Sequence, residues 1–147
     1  MPIIIRSATG QDHSAIRRIL AESDLPSEDI MEHLPHFLVA EEGDEMVGTV
    51  GLEVRGPEAL LRSLAVIERL RGKGVGGLLY SRMVEKARSL GVRELGLLTT
   101  TAEGFFRKVG FKTCDKKDIP LYISSSKEYT TYCPSTAVCM TKTLTGA

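Results

Sequence analysis

The chain has 147 residues, of which 42% are hydrophobic and 26% charged. That suits one globular domain with its own core, expected to run over residues 1–147. Its 19 basic and 19 acidic side chains cancel, which argues against a broad nucleic-acid-binding face, and no apolar run is long enough to span a membrane. The N-terminus, Met-Pro-Ile-Ile-Ile-Arg, lacks the basic region and cleavage site of a secretory signal. A cytoplasmic setting is expected, with neither nucleic acid nor membrane as partner.

Ile3 to Arg6 reads as a strand. Thr9-Gly10-Gln11-Asp12 has the capping-box pattern and opens a helix through Ile16, Ile19 and Leu20. Asp24 to Pro35 is polar and broken by Pro26 and Pro35, with a helical turn over Glu28 to Leu34. Strands follow at Phe37 to Glu41, Met46 to Arg55 and Glu58 to Val66, joined by turns at Gly43-Asp44 and Gly56-Pro57. After a link at Ile67 to Leu70, Leu78, Leu79, Met83, Ala87 and Leu90 recur at the spacing of a helix with one buried face. Lys86 and Arg88 suit its negative end, and Gly91 its C′ position. Leu95 to Thr100 is a strand and Ala102 to Val109 a short helix ended by Gly110-Phe111. Phe111 to Lys116 and Ala137 to Thr143 are the last strands. The connection Ile119 to Pro134 is longer than a hairpin loop and carries Tyr122, Tyr129 and Tyr132; loops of that length tend to be functional.

Cys114, Cys133 and Cys139 have no C-x-x-C spacing and no adjacent histidine, so free thiols are expected, with no disulfide framework and no metal. His13, His33 and His36 lack ligand spacing. His33 or His36 could reach an acceptor site, and solvated loop histidines are the commoner alternative.

The densest signal is Arg71-Gly72-Lys73-Gly74-Val75-Gly76-Gly77, between a strand and an amphipathic helix. Glycines admit unusual dihedrals and close approach of a ligand. The N–H groups of a first helical turn, with the helix dipole, favour an anion such as a pyrophosphate. A dinucleotide fingerprint would follow its strand at once and have an acidic residue after the next strand; here the loop starts well past Val66 and Glu94 precedes its strand. A Walker loop would need Lys-Ser/Thr after the last glycine, where Leu78 stands.

Arg71 to Gly76 matches R/Q-x-x-G-x-G/A, the signature of the GNAT N-acetyltransferases. The series Leu64-Ala65-Val66, signature, helix, strand, short helix and Gly110-Phe111 resembles that family from Ile3 to Leu144. The resemblance implies an α/β (α+β) fold. Its central, mostly antiparallel sheet of about seven strands would splay between strands four and five, with helices on its flanks. It implies acetyl-CoA as co-substrate, held by Leu64, Ala65, Val66, Arg71, Gly72, Lys73, Gly74, Val75, Gly76 and Gly77. Phe106 would pack against it or in the core. The "IPLY" and "CPSTAVCM" stretches are similar to small GNAT proteins associated with bacterial arsenic resistance. "LRSLAV" is similar to the acetyltransferase part of N-acetylglutamate synthases.

An amine must lose its proton before it attacks the thioester. Glu53, beside Leu60 to Val66, is a candidate base; its alternative is a solvated strand glutamate. Glu41 and Glu42 are weaker candidates. Arg62 could grip a substrate carboxylate with two parallel hydrogen bonds, or lie on the surface. Ser63 and Thr99 are further candidate substrate contacts, and Thr101 the expected helix cap. Many GNAT members carry a tyrosine where this chain has Phe105-Phe106. The thiolate then leaves unprotonated, or a tyrosine of the 119–134 loop reaches in. The expected function is transfer of acetyl to the amine of a small amino-acid-like molecule, with an arsenic- or phosphorus-bearing glutamate analogue as the specific case. The alternatives are a non-catalytic acyl-CoA sensor and a protein N-acetyltransferase. A homodimer is expected.

Overall fold

A computed structural model describes residues 2–132 and 136–144, and no side-chain detail for Tyr132. Seven strands form one sheet: β1 (Ile3–Ser7), β2 (Phe37–Glu42), β3 (Glu45–Arg55), β4 (Glu58–Val66), β5 (Glu94–Thr99), β6 (Lys112–Thr113) and β7 (Val138–Thr143). Their order is β1-β2-β3-β4-β5-β7-β6, with β4–β5 parallel and every other pair antiparallel. The helices are α1 (His13–Glu22), α2 (Ile30–His33), α3 (Val75–Ser89), α4 (Glu103–Lys108) and α5 (Leu121–Ser124). The parallel pair needs a crossover, and α3 provides it.

The strand alternation sorts the core. Leu38 and Ala40 of β2 face α3 with Leu79 and Met83, whereas Phe37 and Val39 face α1 with Ile16, Ile19 and Leu20. A third cluster joins Leu60, Tyr122, Ile123 and Cys139. On α3 the buried stripe is Val75, Leu79, Tyr80, Met83, Val84 and Ala87. Leu90, expected on it, is 42% exposed because it caps the helix just before Gly91, whose φ is +83°.

The capping box at Thr9 forms: its N–H donates to Asp12 Oδ2 at 2.7 Å, opening a single 3-10 turn that runs into α1. The sixth strand shrinks from the expected Phe111–Lys116 to two residues, because Phe111 turns into the core and a 3-10 turn follows at Lys116–Asp118. Of the 119–134 connection, the described part carries α5 and a π-turn at Glu128–Tyr132.

Candidate active site

β4 and β5 pair at Glu58↔Glu94, Ala59↔Leu95 and Leu60↔Gly96 and then diverge. From Leu61 onward the β4 edge facing β5 has no strand beside it, and unpaired backbone groups seek partners. A bulge sharpens the divergence. Gly51 pairs with Arg62 and Thr49 with Ala65, so Ser63 and Leu64 together oppose Val50. Ser63 sits at φ +58°, one of two non-glycine residues with positive φ among the described ones. Bulge and divergence open a cavity of about 830 Å³.

One end of the cavity is the glycine loop. Gly72 (φ +76°) and Gly74 (φ +88°) take left-handed dihedrals, and Gly74 is the N-cap of α3. The first-turn amides of that helix therefore open towards the cavity, which Gly72, Gly74, Gly76 and Gly77 line. Arg71 braces the loop on the strand, its Nε donating to Val66 O at 3.0 Å. Arg69, two residues before the loop's Arg71, is paired with Glu42 and Glu45.

The other end is a buried charge cluster. Arg62, its side chain fully buried, donates from both terminal nitrogens to Asp29 at 2.6 and 2.7 Å, and from Nε to Ser63 Oγ at 3.1 Å. Burial pushes the Asp29 carboxyl up, but the Arg62 hydrogen bonds and charge prevail and hold it below its ordinary range. Glu53 lies 3.7 Å from Arg62 and 3.7 Å from His33 Nε2. Its Oε1 accepts from Arg55 at 2.7 Å, while its buried Oε2 has no hydrogen-bond partner. Glu128 Oε1 is 3.6 Å from Arg62 Nε. Asp29, His33 and Glu53 each bring one ligand atom within 4.8 Å of the others. The Arg62 guanidinium already supplies the cation there, so the group reads as an ion-pair network.

Several expected roles change. Arg62 does line the cavity, but its fork is closed on Asp29 and offers no free edge to a substrate carboxylate. Glu53 is neither solvated nor at the cavity wall; it is 3% exposed and lies behind Arg62. Glu41 and Glu42 are taken by Arg6 and Arg69. Thr99, not Thr101, caps the segment before α4, its Oγ1 accepting from the Ala102 N–H at 2.9 Å. Tyr122 points elsewhere: buried against Ile123, it donates to Glu94 at 2.8 Å. Cys114 Sγ donates to Thr141 Oγ1 at 3.7 Å, Cys139 is buried, and Cys133 lies outside the described residues.

Ser63, Leu64, Ala65, Val66, Thr99 and Phe106 do line the cavity, with Phe105 beside them. The two phenylalanines pack edge to face at 5.1 Å, giving that wall no hydroxyl. Sequence reasoning missed Asp29 and Glu128, both cluster members. Neither has a motif around it, and only the length of the 119–134 connection drew notice to Glu128.

The chain matches the acetyltransferase (GNAT) family over residues 7–111. It is 35% identical over 152 residues to an uncharacterised N-acetyltransferase of Chlorobaculum tepidum, covering 95% of this chain and 96% of that one. Its fold is similar to that of N-acetylglutamate synthase from Neisseria gonorrhoeae complexed with coenzyme A and N-acetyl-glutamate. That likeness has a TM-score of 0.84 and 22% identity, over 99% of this chain and 36% of the synthase. A Mycobacterium tuberculosis protein solved in complex with CoA aligns at a TM-score of 0.81 and 22% identity, over 97% of this chain and 99% of that one. With the signature loop at a helix N-terminus and the cleft between β4 and β5, the chain belongs to the GNAT family of N-acetyltransferases.

Proposed function

We propose that the protein moves an acetyl group from acetyl-CoA directly to the amine of a small, amino-acid-like molecule. The observation that carries this reading is the buried charge cluster, Arg62 with Asp29 and Glu128, at one end of the cavity. Leu25, Pro26 and Glu128 are among the residues that line the cavity. The α2 region and the 128 segment are tied together by Lys127–Glu32 at 2.7 Å and by Arg62, which lies between Asp29 and Glu128. A protein acceptor needs a broad open groove, and these ties narrow that end. The N-acetylglutamate bound to the gonococcal synthase supports an amino-acid-like acceptor. An arsenic- or phosphorus-bearing glutamate analogue is the specific case within that class.

In this reading the pyrophosphate lies on the amides from Gly72 to Gly77, favoured by the α3 dipole. The pantetheine arm pairs with the edge of Leu64, Ala65 and Val66 that β5 leaves bare, with Phe105 and Phe106 against its apolar part. Holding both reactants in one cavity supplies much of the rate. A backbone N–H near Val66 faces the thioester oxygen and stabilises the charge that grows there during attack. The phenylalanine wall offers no hydroxyl and Tyr122 is occupied; in this reading the CoA sulfur, whose thiol has a pKa near ~8.5, leaves as the thiolate. Arg62 holds Asp29 and Ser63 in place at the acceptor end.

The test is acetyl-CoA turnover against an amine panel with mass detection of product. The panel holds glutamate, phosphinothricin, arsinothricin, other amino acids, polyamines, an aminoglycoside and lysine peptides. Acetylation of a glutamate analogue far above the rest is expected. Acetyl-CoA binding with no product from any amine would overturn the enzymatic reading in favour of a sensor, and preference for the peptides would overturn the small-molecule reading.

A further inference from the structure

The acceptor end of the cavity holds more carboxylates than it has cations to match. Arg62 is ringed by Asp29, Glu53 and Glu128. Asp29 takes both terminal nitrogens of the guanidinium. Glu53 has Arg55 on one oxygen and His33 near the other. Glu128 is left with the weakest match: 3.6 Å from Arg62 Nε, and accepting no hydrogen bond among the described residues. It is also the one of the three that lines the cavity, its side chain 15% exposed. The charge that would complete this end is a cation entering through the cavity, and an amine acceptor arrives as one.

We propose that Glu128 binds the acceptor's ammonium and takes the proton that must leave before attack. This rests on the acceptor reading above and names the base that reading lacks. The ammonium gives one proton to the Glu128 carboxylate. The freed nitrogen pair forms the C–N bond to the thioester carbonyl carbon, and the C–S bond breaks with its electron pair going to sulfur. The second proton shed by nitrogen ends on sulfur as the CoA thiol, and the one on Glu128 passes to solvent. Burial pushes the Glu128 carboxyl above its ordinary range; Arg62 opposes this, while Asp29 and Glu53 add to it. That direction brings the base closer to an α-amino group, with pKa near ~7.7–8.0, and eases the transfer.

The test is Glu128→Gln, with Glu128→Asp beside it, on the whole protein with the panel amine that the wild type acetylates best. At saturating acetyl-CoA and pH 7, kcat of E128Q is expected to fall by about 100-fold or more, the usual worth of a general base. The gap should narrow as pH rises past ~8, where the amine arrives neutral without help. The KM for acetyl-CoA and the melting temperature stay near wild type, and E128D retains the acid limb of the pH profile at reduced rate. An E128Q kcat within threefold of wild type, or a gap that stays constant from pH 6 to 10, overturns the assignment of Glu128 alone. A wild type that binds acetyl-CoA and acetylates no amine overturns the acceptor reading and this base with it.

Discussion

Gly77 separates what the fold needs from what the ligand needs. It lies in the first turn of α3 and lines the cavity, and a Cβ added there meets nothing within 4 Å. Helix propensity alone favours alanine at such a position by about 0.5–1 kcal/mol. Gly77→Ala is therefore expected to leave the melting temperature unchanged or slightly raised. The same methyl stands where the pyrophosphate approaches, so acetyl-CoA affinity should fall by about tenfold or more, the cost of ~1.4 kcal/mol. Calorimetric titration beside a thermal melt reads both; undiminished affinity would remove Gly77 from the cofactor surface. Residues of this kind are legible in sequence, because a glycine run at a helix start has few other uses. Arg62 is the contrary case. Its partner Asp29 is 33 positions away, and nothing local shows that its fork is already closed.

At the scale of elements, the central strands are the most legible in the sequence. β2, β3 and β4 stand within a residue of their expected bounds, because each is largely buried on both faces and the Gly43-Asp44 and Gly56-Pro57 turns mark where one ends and the next begins. The bulge at Ser63 was not legible: it depends on the register of β3 against β4 and on a positive φ at a residue that gives no glycine signal. The contact of β2 with β3 depends on a glycine for a different reason. A Cβ at Gly51 would lie 2.4 Å from the ring of Phe37, itself fully buried. Gly51→Ala is expected to cost about 1–3 kcal/mol through overpacking, read as a lower urea midpoint with an unchanged slope. A midpoint equal to wild type would mean that the ring has room to move.

The docking of β1 onto α1 has its own electrostatic signature. Arg6 grips both oxygens of Asp12 at 2.8 Å and reaches Glu41 with Nε at 2.7 Å. The Arg6 hydrogen bonds hold the Asp12 carboxyl at about 2, against the opposing effect of burial. A carboxyl whose folded value is depressed contributes stability that is present above its ordinary value and is lost as pH falls through the folded one. The stability difference between wild type and Asp12→Asn should therefore be full at pH 7 and shrink between about pH 4 and pH 2. Urea melts across that range measure it, and a difference that does not change with pH would place the contribution of Asp12 in its neutral contacts.

Over the whole molecule, the two halves of the sheet are joined edge to edge by three residue pairs of β4 and β5, and the cavity occupies the rest of that boundary. The β1–β4 side is packed by α1 and α3, and the β5–β7–β6 side is joined to it through α3 and the cluster under α5. An acetyl-CoA arm lying against the bare β4 edge would add backbone pairing where the protein has least. Ligand that binds only the folded state stabilises it by about 2.7 kcal/mol at a hundredfold excess over Kd. The gain should not be spread evenly. Amides of residues 61–66, 72–77 and 97–99 are expected to slow in hydrogen exchange when acetyl-CoA is added, since they open locally at low cost. Amides of β2, paired on both sides, should change only as far as global unfolding does. Protection confined to residues 72–77 would mean that the glycine loop binds the nucleotide end while the arm stays out of the cleft, and transfer to an amine beside Glu128 would then be geometrically impossible.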